Sequence, residues 1–280
     1  MNRWWFLFAQ WFKRDVAGRY RGLWLGLLWP VAQPLAQLAV FTLIFHGFMQ
    51  IHWPDAASIR STSPSGAIAS IATASTQGKQ QAAWYYAMNV LAGLAVFNFF
   101  AEVLGRAPST ILSQPTLVTK LRFPLMLLPM VTLASAMIHI VVASLLLVIC
   151  AMLSGQGSLT MLWFLLWVWP VMFYGGAIAL LLSSLGVYAR DISQIVPAFT
   201  SLLMFLTPIF YPLAAVPEGL RSYFALNPVA WAAESLRSLL LHQQHLDLSI
   251  WSMHIGLSLA LFAAGYFCFA RLRKGFADVL

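Results

Sequence analysis

Residues 125–153 read LMLLPMVTLASAMIHIVVASLLLVICAML, a stretch without a single Asp, Glu, Lys or Arg. A helix rising about 1.5 Å per residue crosses a hydrocarbon core about 30 Å thick in roughly 20 residues, so this stretch is long enough to span a bilayer. It does not alternate polar and apolar residues in the short segments that a membrane β-barrel requires. The rest of the chain agrees: 61% of the 280 residues are hydrophobic and 9% are charged, against roughly 25% charged in an ordinary soluble domain. Too little charge remains to solvate a globular surface, and the fold class is all-α integral membrane. Cys150 and Cys268 both lie in apolar runs. They read as small hydrophobes, which argues against a disulfide framework or a cysteine metal site. The formal charge of +8 is read against the membrane, and no nucleic acid is implied.

Six spans are expected, near Leu23–Phe48, Trp84–Leu104, Leu125–Leu153, Met161–Val187, Ile195–Tyr211 and Leu248–Ala270. The third and fourth are joined through Ser154-Gly155-Gln156-Gly157-Ser158 as a helical hairpin. Ahead of the first span, Trp4, Trp5, Phe8, Trp11 and Phe12 fall on one helical face, with Arg3, Gln10, Lys13 and Arg14 off it. Residues 1–22 are therefore assigned to an interfacial helix. Residues 212–247 carry Pro212, Pro217 and Pro228 among Trp231, Leu236, Leu239 and Leu240, too broken for a span and too apolar for a free loop. Re-entrant helices between the fifth and sixth spans fit them, sheltered by protein or a water-filled cavity. Residues 49–83, rich in Ser, Thr, Ala and Gln, form an outer segment, and 106–124 an inner connection. The whole chain, 1–280, reads as one transmembrane domain.

Placing the N-terminus in the cytoplasm collects twelve of the sixteen basic residues on that side, leaving Arg60, Lys79, Arg221 and Arg237 outside. Both termini are then cytoplasmic by the positive-inside rule. The spans hold almost none of the costly ionisable groups that chemistry or ion coupling in a membrane would need. Glu102 closes the second span, Arg190 and Asp191 share a short inner loop, and His139 lies well inside the third, where it reads as a neutral ring hydrogen-bonded to a neighbouring helix. Gly78-Lys79 is followed by Gln80, and Thr73 stands where a phosphate-binding loop needs its first glycine. No catalytic or metal-binding residues are assigned. Energy for uphill transport would have to come from another polypeptide.

In chain order, Arg19-Tyr20-Arg21-Gly22, Leu25-Gly26-Leu27-Leu28-Trp29-Pro30, Leu91-Ala92-Gly93-Leu94 and Asn98-Phe99-Phe100 are followed by Leu117 to Pro124 and Val187-Tyr188-Ala189-Arg190-Asp191-Ile192. Thr207-Pro208-Ile209-Phe210-Tyr211-Pro212, Leu226-Asn227-Pro228 and Phe276-Ala277-Asp278-Val279-Leu280 complete the series. This ordered set resembles the permease subunits of bacterial type-2 ABC exporters for polysaccharides, most closely the O-antigen and teichoic-acid exporter permeases. The resemblance implies a homodimer of six-span subunits enclosing one channel in the inner membrane, with two copies of a cytoplasmic ABC ATPase that bind ATP and Mg. This chain itself would carry no cofactor. The implied cargo is an O-antigen-like polysaccharide on a polyprenyl-pyrophosphate lipid. A permease for capsule or teichoic-acid polymer is the nearest alternative. An ion-coupled secondary transporter is the more distant one, and it lacks the buried carboxylates it would need.

Within that frame, Gln33, Gln37, Phe41, Phe45 and Phe48 form one stripe of the first span, offering hydrogen bonds to sugar hydroxyls and flat faces to ring C–H groups. Ordinary helix packing accounts for the same stripe. Arg19 and Arg21 are candidates for the lipid pyrophosphate, and orientation by positive charge explains them equally. Leu117, Val118, Lys120, Leu121 and Arg122 are expected to couple the chain to the ATPase, as a short helix after Pro115 pressing an apolar face into a groove. Tyr211, Pro217 and Glu218 are assigned to an outer gate.

Overall fold

The computed structural model describes residues 3–21, 24, 26–48, 76–119, 123–153 and 159–280, and every regular element among them is helical. The principal helices are α1 (Arg3–Tyr20), α2 (Trp29–Phe41, continued by a wider π-helical stretch, Thr42–Phe48), α3 (Thr76–Arg106) and α4 (Leu127–Leu153). They continue with α5 (Phe164–Tyr188), α6 (Ile192–Leu206), α7 (Glu218–Leu226), α8 (Pro228–Leu240) and α9 (Leu248–Leu272). Among the described residues, four segments are long and apolar enough to cross a membrane: Ala83–Ser109, Leu127–Leu153, Thr160–Tyr188 and Leu248–Val279. Two further apolar helices, Trp29–Ile44 and Ile192–Leu206, are shorter than a full crossing. Among the described residues, six apolar helices stand where six spans were expected: the first is helical from Gly26 to Phe48, and the fifth stops at Leu206, short of Tyr211.

The shortfall in α6 has a local cause. The sequence suggested a span running to Tyr211, but the helix stops at Leu206 and Thr207 turns extended (φ −103°, ψ 136°). Pro208 disfavours helical backbone at Thr207 by steric clash, and Pro212 removes another donor shortly after. The start of the first span lies partly outside the described residues, as do the outer segment from 49 to 75 and the hairpin turn at 154–158. Where description resumes, α3 already runs from Thr76, ahead of the Trp84 expected to open the second span.

Buried along most of its length, α3 is the axis of the bundle and packs against α4, α8, α6, α5 and α2. Its Leu91, Ala95, Phe99 and Val103, at helical spacing, meet Ala136, Ile140, Ala143 and Leu147 of α4 and Trp167, Val171 and Tyr174 of α5 in one core. The opposite stripe of α4 is equally apolar yet open, with Val141, Leu145, Ile149 and Met152 all exposed. A helix that is apolar on both its packed and its open face is one whose surroundings are hydrocarbon. At the end of the bundle that carries α1, Phe276 of the chain's last residues is fully buried with Ile111, Val187 and Phe269. The Tyr188 hydroxyl donates to the Leu272 carbonyl at 2.8 Å. The Phe276–Leu280 motif therefore ties the ends of α5 and α9 to the connection that follows α3.

Candidate functional site

Two polar clusters, one at the last turns of α3 and one at its middle, position the segments that sequence reading assigned to transport. At the α1 end, Glu102 is the shared acceptor. Its carboxylate receives the Arg19 guanidinium of α1, lies 3.4 Å from Nη1 of Arg106 one helical turn on, and is 3.3 Å from Nε2 of His139 on α4. Asp15 completes the set, accepting from Arg19 at 3.0 Å and from Arg106 Nη2 at 2.5 Å. Two acids, two arginines and a histidine thus join α1, α3 and α4. Their side chains range from 15% to 35% exposed, and in such a half-shielded site paired charges attract far more than in bulk water. His139 does contact a neighbouring helix, as its solitary place in the span suggested.

Midway along α3, the guanidinium of Arg237 on α8 is fully buried. It donates to the carbonyls of Asn89 (3.0 Å), Pro208 (2.8 Å) and Ile209 (2.9 Å) and to Glu234 Oε2 (3.1 Å). The carbonyls of Pro208 and Ile209, in the broken backbone after α6 where helical partners are lacking, are satisfied by one side chain from a distant helix. The Tyr86 hydroxyl adds a bond to the Phe210 carbonyl at 3.0 Å. Gly93 makes the approach possible: a Cβ there would stand 2.6 Å from Arg237 Nη2 and 3.2 Å from Ile209 Cα. Positive-inside counting put Arg237 among the outer basic residues, whereas its charge is spent inside the protein. Beyond the clamp, Asn227 caps α8 by accepting from the backbone N–H groups of Val229 (3.0 Å) and Ala230 (3.4 Å), and Pro228 sits at the first helical position, where no donor is lost. The Leu226-Asn227-Pro228 motif is thus a helix start.

The expected stripe of α2 divides between packing and open surface. Gln37 accepts from Asn98 Nδ2 of α3 at 2.8 Å, and the Phe41 ring lies 4.4 Å from that of Phe210 on the clamped loop. Gln33 is exposed, and the side chains of Phe45 and Phe48 lie outside the described residues. Of the two arginines proposed for pyrophosphate, Arg19 is committed to Asp15 and Glu102, while Arg21 is exposed. Tyr211 is half-buried, its hydroxyl donating to the Phe205 carbonyl at 3.0 Å, and Pro217 and Glu218 are exposed at the start of α7.

In the connection after α3, the short helix Pro115–Thr119 forms as expected. Leu117, however, is 8% exposed, and Val118 packs beside the Ile111 and Phe276 cluster. Their apolar contact is made within the chain, and Pro115 and Thr116 are the exposed positions. Lys120, Leu121 and Arg122 lie outside the described residues. Gly186 of α5 allows this connection to close, because a Cβ there would overlap the Pro108 carbonyl.

Comparison with known proteins places these features in a family context. The family model described as ABC-2 type transporter matches residues 7–241. The O-antigen export system permease protein RfbA of Myxococcus xanthus is 24% identical over 273 residues, covering 95% of this chain and 92% of that protein. A protein of the same name from Klebsiella pneumoniae is 23% identical over 275 residues, covering 96% of this chain and 92% of its own length.

Proposed function

Because the chain belongs to the ABC-2 type transporter family, we propose that it is the channel-forming permease subunit of an exporter that moves an O-antigen-like polysaccharide, linked to a polyprenyl-pyrophosphate lipid, across a bacterial inner membrane. The observation that carries this reading is the likeness to O-antigen export permeases across 95% of the chain, rather than over one motif or one helix. Two such subunits enclose the path, and a separate ABC ATPase on the cytoplasmic side supplies the energy. In this reading all six apolar helices cross the bilayer. The α1 end is cytoplasmic, and α7 and α8 are re-entrant helices around the exit.

Several features of the fold support this reading. On α2, Gln33 is open and Phe41 meets the clamped loop at Phe210, so a sugar chain moving along α2 would leave beside a loop fixed by Arg237 and Tyr86. Arg21, exposed next to the Asp15–Arg19–Glu102 cluster, is the cation left to meet a pyrophosphate. Coupling to the ATPase falls to the connection from 106 to 124, where Thr116 is exposed and Leu117 and Val118 pack toward the core; Lys120, Leu121 and Arg122, which follow in sequence, lie outside the described residues. The test is copurification: the chain, tagged and extracted from its native membrane in mild detergent, should bring down an ABC ATPase in equal amount. Recovery of the chain as a stable species that never associates with an ATPase would remove the proposed energy source.

A further inference from the structure

Two cavities flank the seam where α1 lies on the start of α4. The first, about 710 Å³, is almost wholly apolar, with Trp5 and Phe8 of α1 on one wall, Met130 and Met137 of α4 along its floor, and Phe262 of α9 opposite. The second, about 390 Å³, is polar and lined by Arg14, Arg106, Thr110 and Gln114, with Asp15 and Arg19 at its back. They adjoin: Phe12 and Leu127 line the first, and their chain neighbours Trp11 and Leu128 line the second.

We infer that this paired site holds one anionic phospholipid as a resident ligand, its headgroup in the arginine-lined cavity and an acyl chain in the methionine-floored groove. Three observations select that occupant. The groove runs along α4 from Leu127 to Met137, about 15 Å at about 1.5 Å per residue, which is one leaflet of a core about 30 Å thick. Methionine is unbranched and polarizable, so a floor of Met126, Met130 and Met137 with Met172 beside it adapts to a flexible chain without demanding one shape. In the polar cavity, Arg14 lies over the Trp11 ring at 4.8 Å and has no acidic partner among the described residues. Three arginines thus surround the cavity against Asp15 and the neighbouring Glu102, leaving a net positive site that hydroxyls and an amide extend with further donors. Basic pockets between membrane helices at the cytoplasmic face are where anionic headgroups bind. The site is separate from α2 and the outer clamp, and it stands whether or not the cargo is a polysaccharide.

The full-length chain would be purified in mild detergent and the lipid extracted and quantified by mass spectrometry, alongside the lipid of the source membrane. Anionic phospholipid should be enriched several-fold over its membrane share. Arg14→Gln, at an exposed position, and Ala134→Trp, which fills the groove, should each lower the retained amount at least fivefold. Arg273→Gln, an exposed cation at the same end, should leave it unchanged. Should the bulky groove variant fail to fold, Arg14→Gln decides alone. Retention no greater than the membrane share, equal retention in wild type and Arg14→Gln, or a polyprenyl pyrophosphate in place of phospholipid would each overturn the inference.

Discussion

Arg237 shows how one side chain can set the geometry of a whole segment. Replacing it with Met leaves the carbonyls of Pro208 and Ile209, outside any helix, without their donor. Each buried group left unpaired costs about 1–3 kcal/mol, so Arg237→Met should unfold the segment that follows α6 and sharply reduce recoverable protein. Gly93→Ala is the subtler probe. Its added methyl competes with the guanidinium for the same space, and overpacking of this kind costs about 1–3 kcal/mol. A thermal shift in detergent should register the loss, while an Ala variant as stable as wild type would show that the clamp has room to spare. Neither residue announced this role in the sequence. Arg237 meets acceptors 28, 29 and 148 positions away, all of them backbone carbonyls, which leave no side-chain signature to read.

At the level of elements, α1 is held to the bundle by charge as well as by its aromatic face. Glu102→Ala would leave Arg19 and Arg106 sharing Asp15 alone, a loss on the order of 2–3 kcal/mol for a half-shielded network. Limited proteolysis should then release α1 before the remainder of the chain is cut, and undiminished protection of α1 would assign its anchoring to the aromatic face instead. The Asp15–Arg19 pair could be read as an i,i+4 contact, but Arg19 reaches Glu102 across 83 positions, and no local pattern encodes that. The connection after α3 teaches the same limit. Apolar residues at i, i+1 and i+4 identify a helix with one apolar face without saying whether the core or a partner covers it. Since the core covers Leu117, Leu117→Asp should cost folded protein. Thr116→Asp, on the exposed side, should leave folding intact and weaken ATPase association; unchanged association and unchanged export in that variant would move the coupling contact to the Arg190–Asp191 turn.

Over the whole molecule, composition and the long charge-free runs made the helical membrane architecture legible, because a bilayer permits few alternatives. The break after α6 is less so: apolar character alone carries the expected span past Pro208 to Tyr211, just before Pro212. Orientation can be checked in a background with Cys150 and Cys268 replaced by Ser. A cysteine at Glu218, whose side chain is 92% exposed, should react with a membrane-impermeant thiol reagent added to intact spheroplasts, and one at Lys274 only after the membrane is opened. The reverse pattern would invert the topology. The central claim, export of a lipid-linked polysaccharide, is tested most directly by depleting this chain in its native cell and measuring where the polymer goes. Surface polysaccharide should fall while polyprenyl-pyrophosphate-linked polymer accumulates on the cytoplasmic side, and restoring the chain should clear that pool. Unchanged surface polymer with no cytoplasmic accumulation would contradict the account.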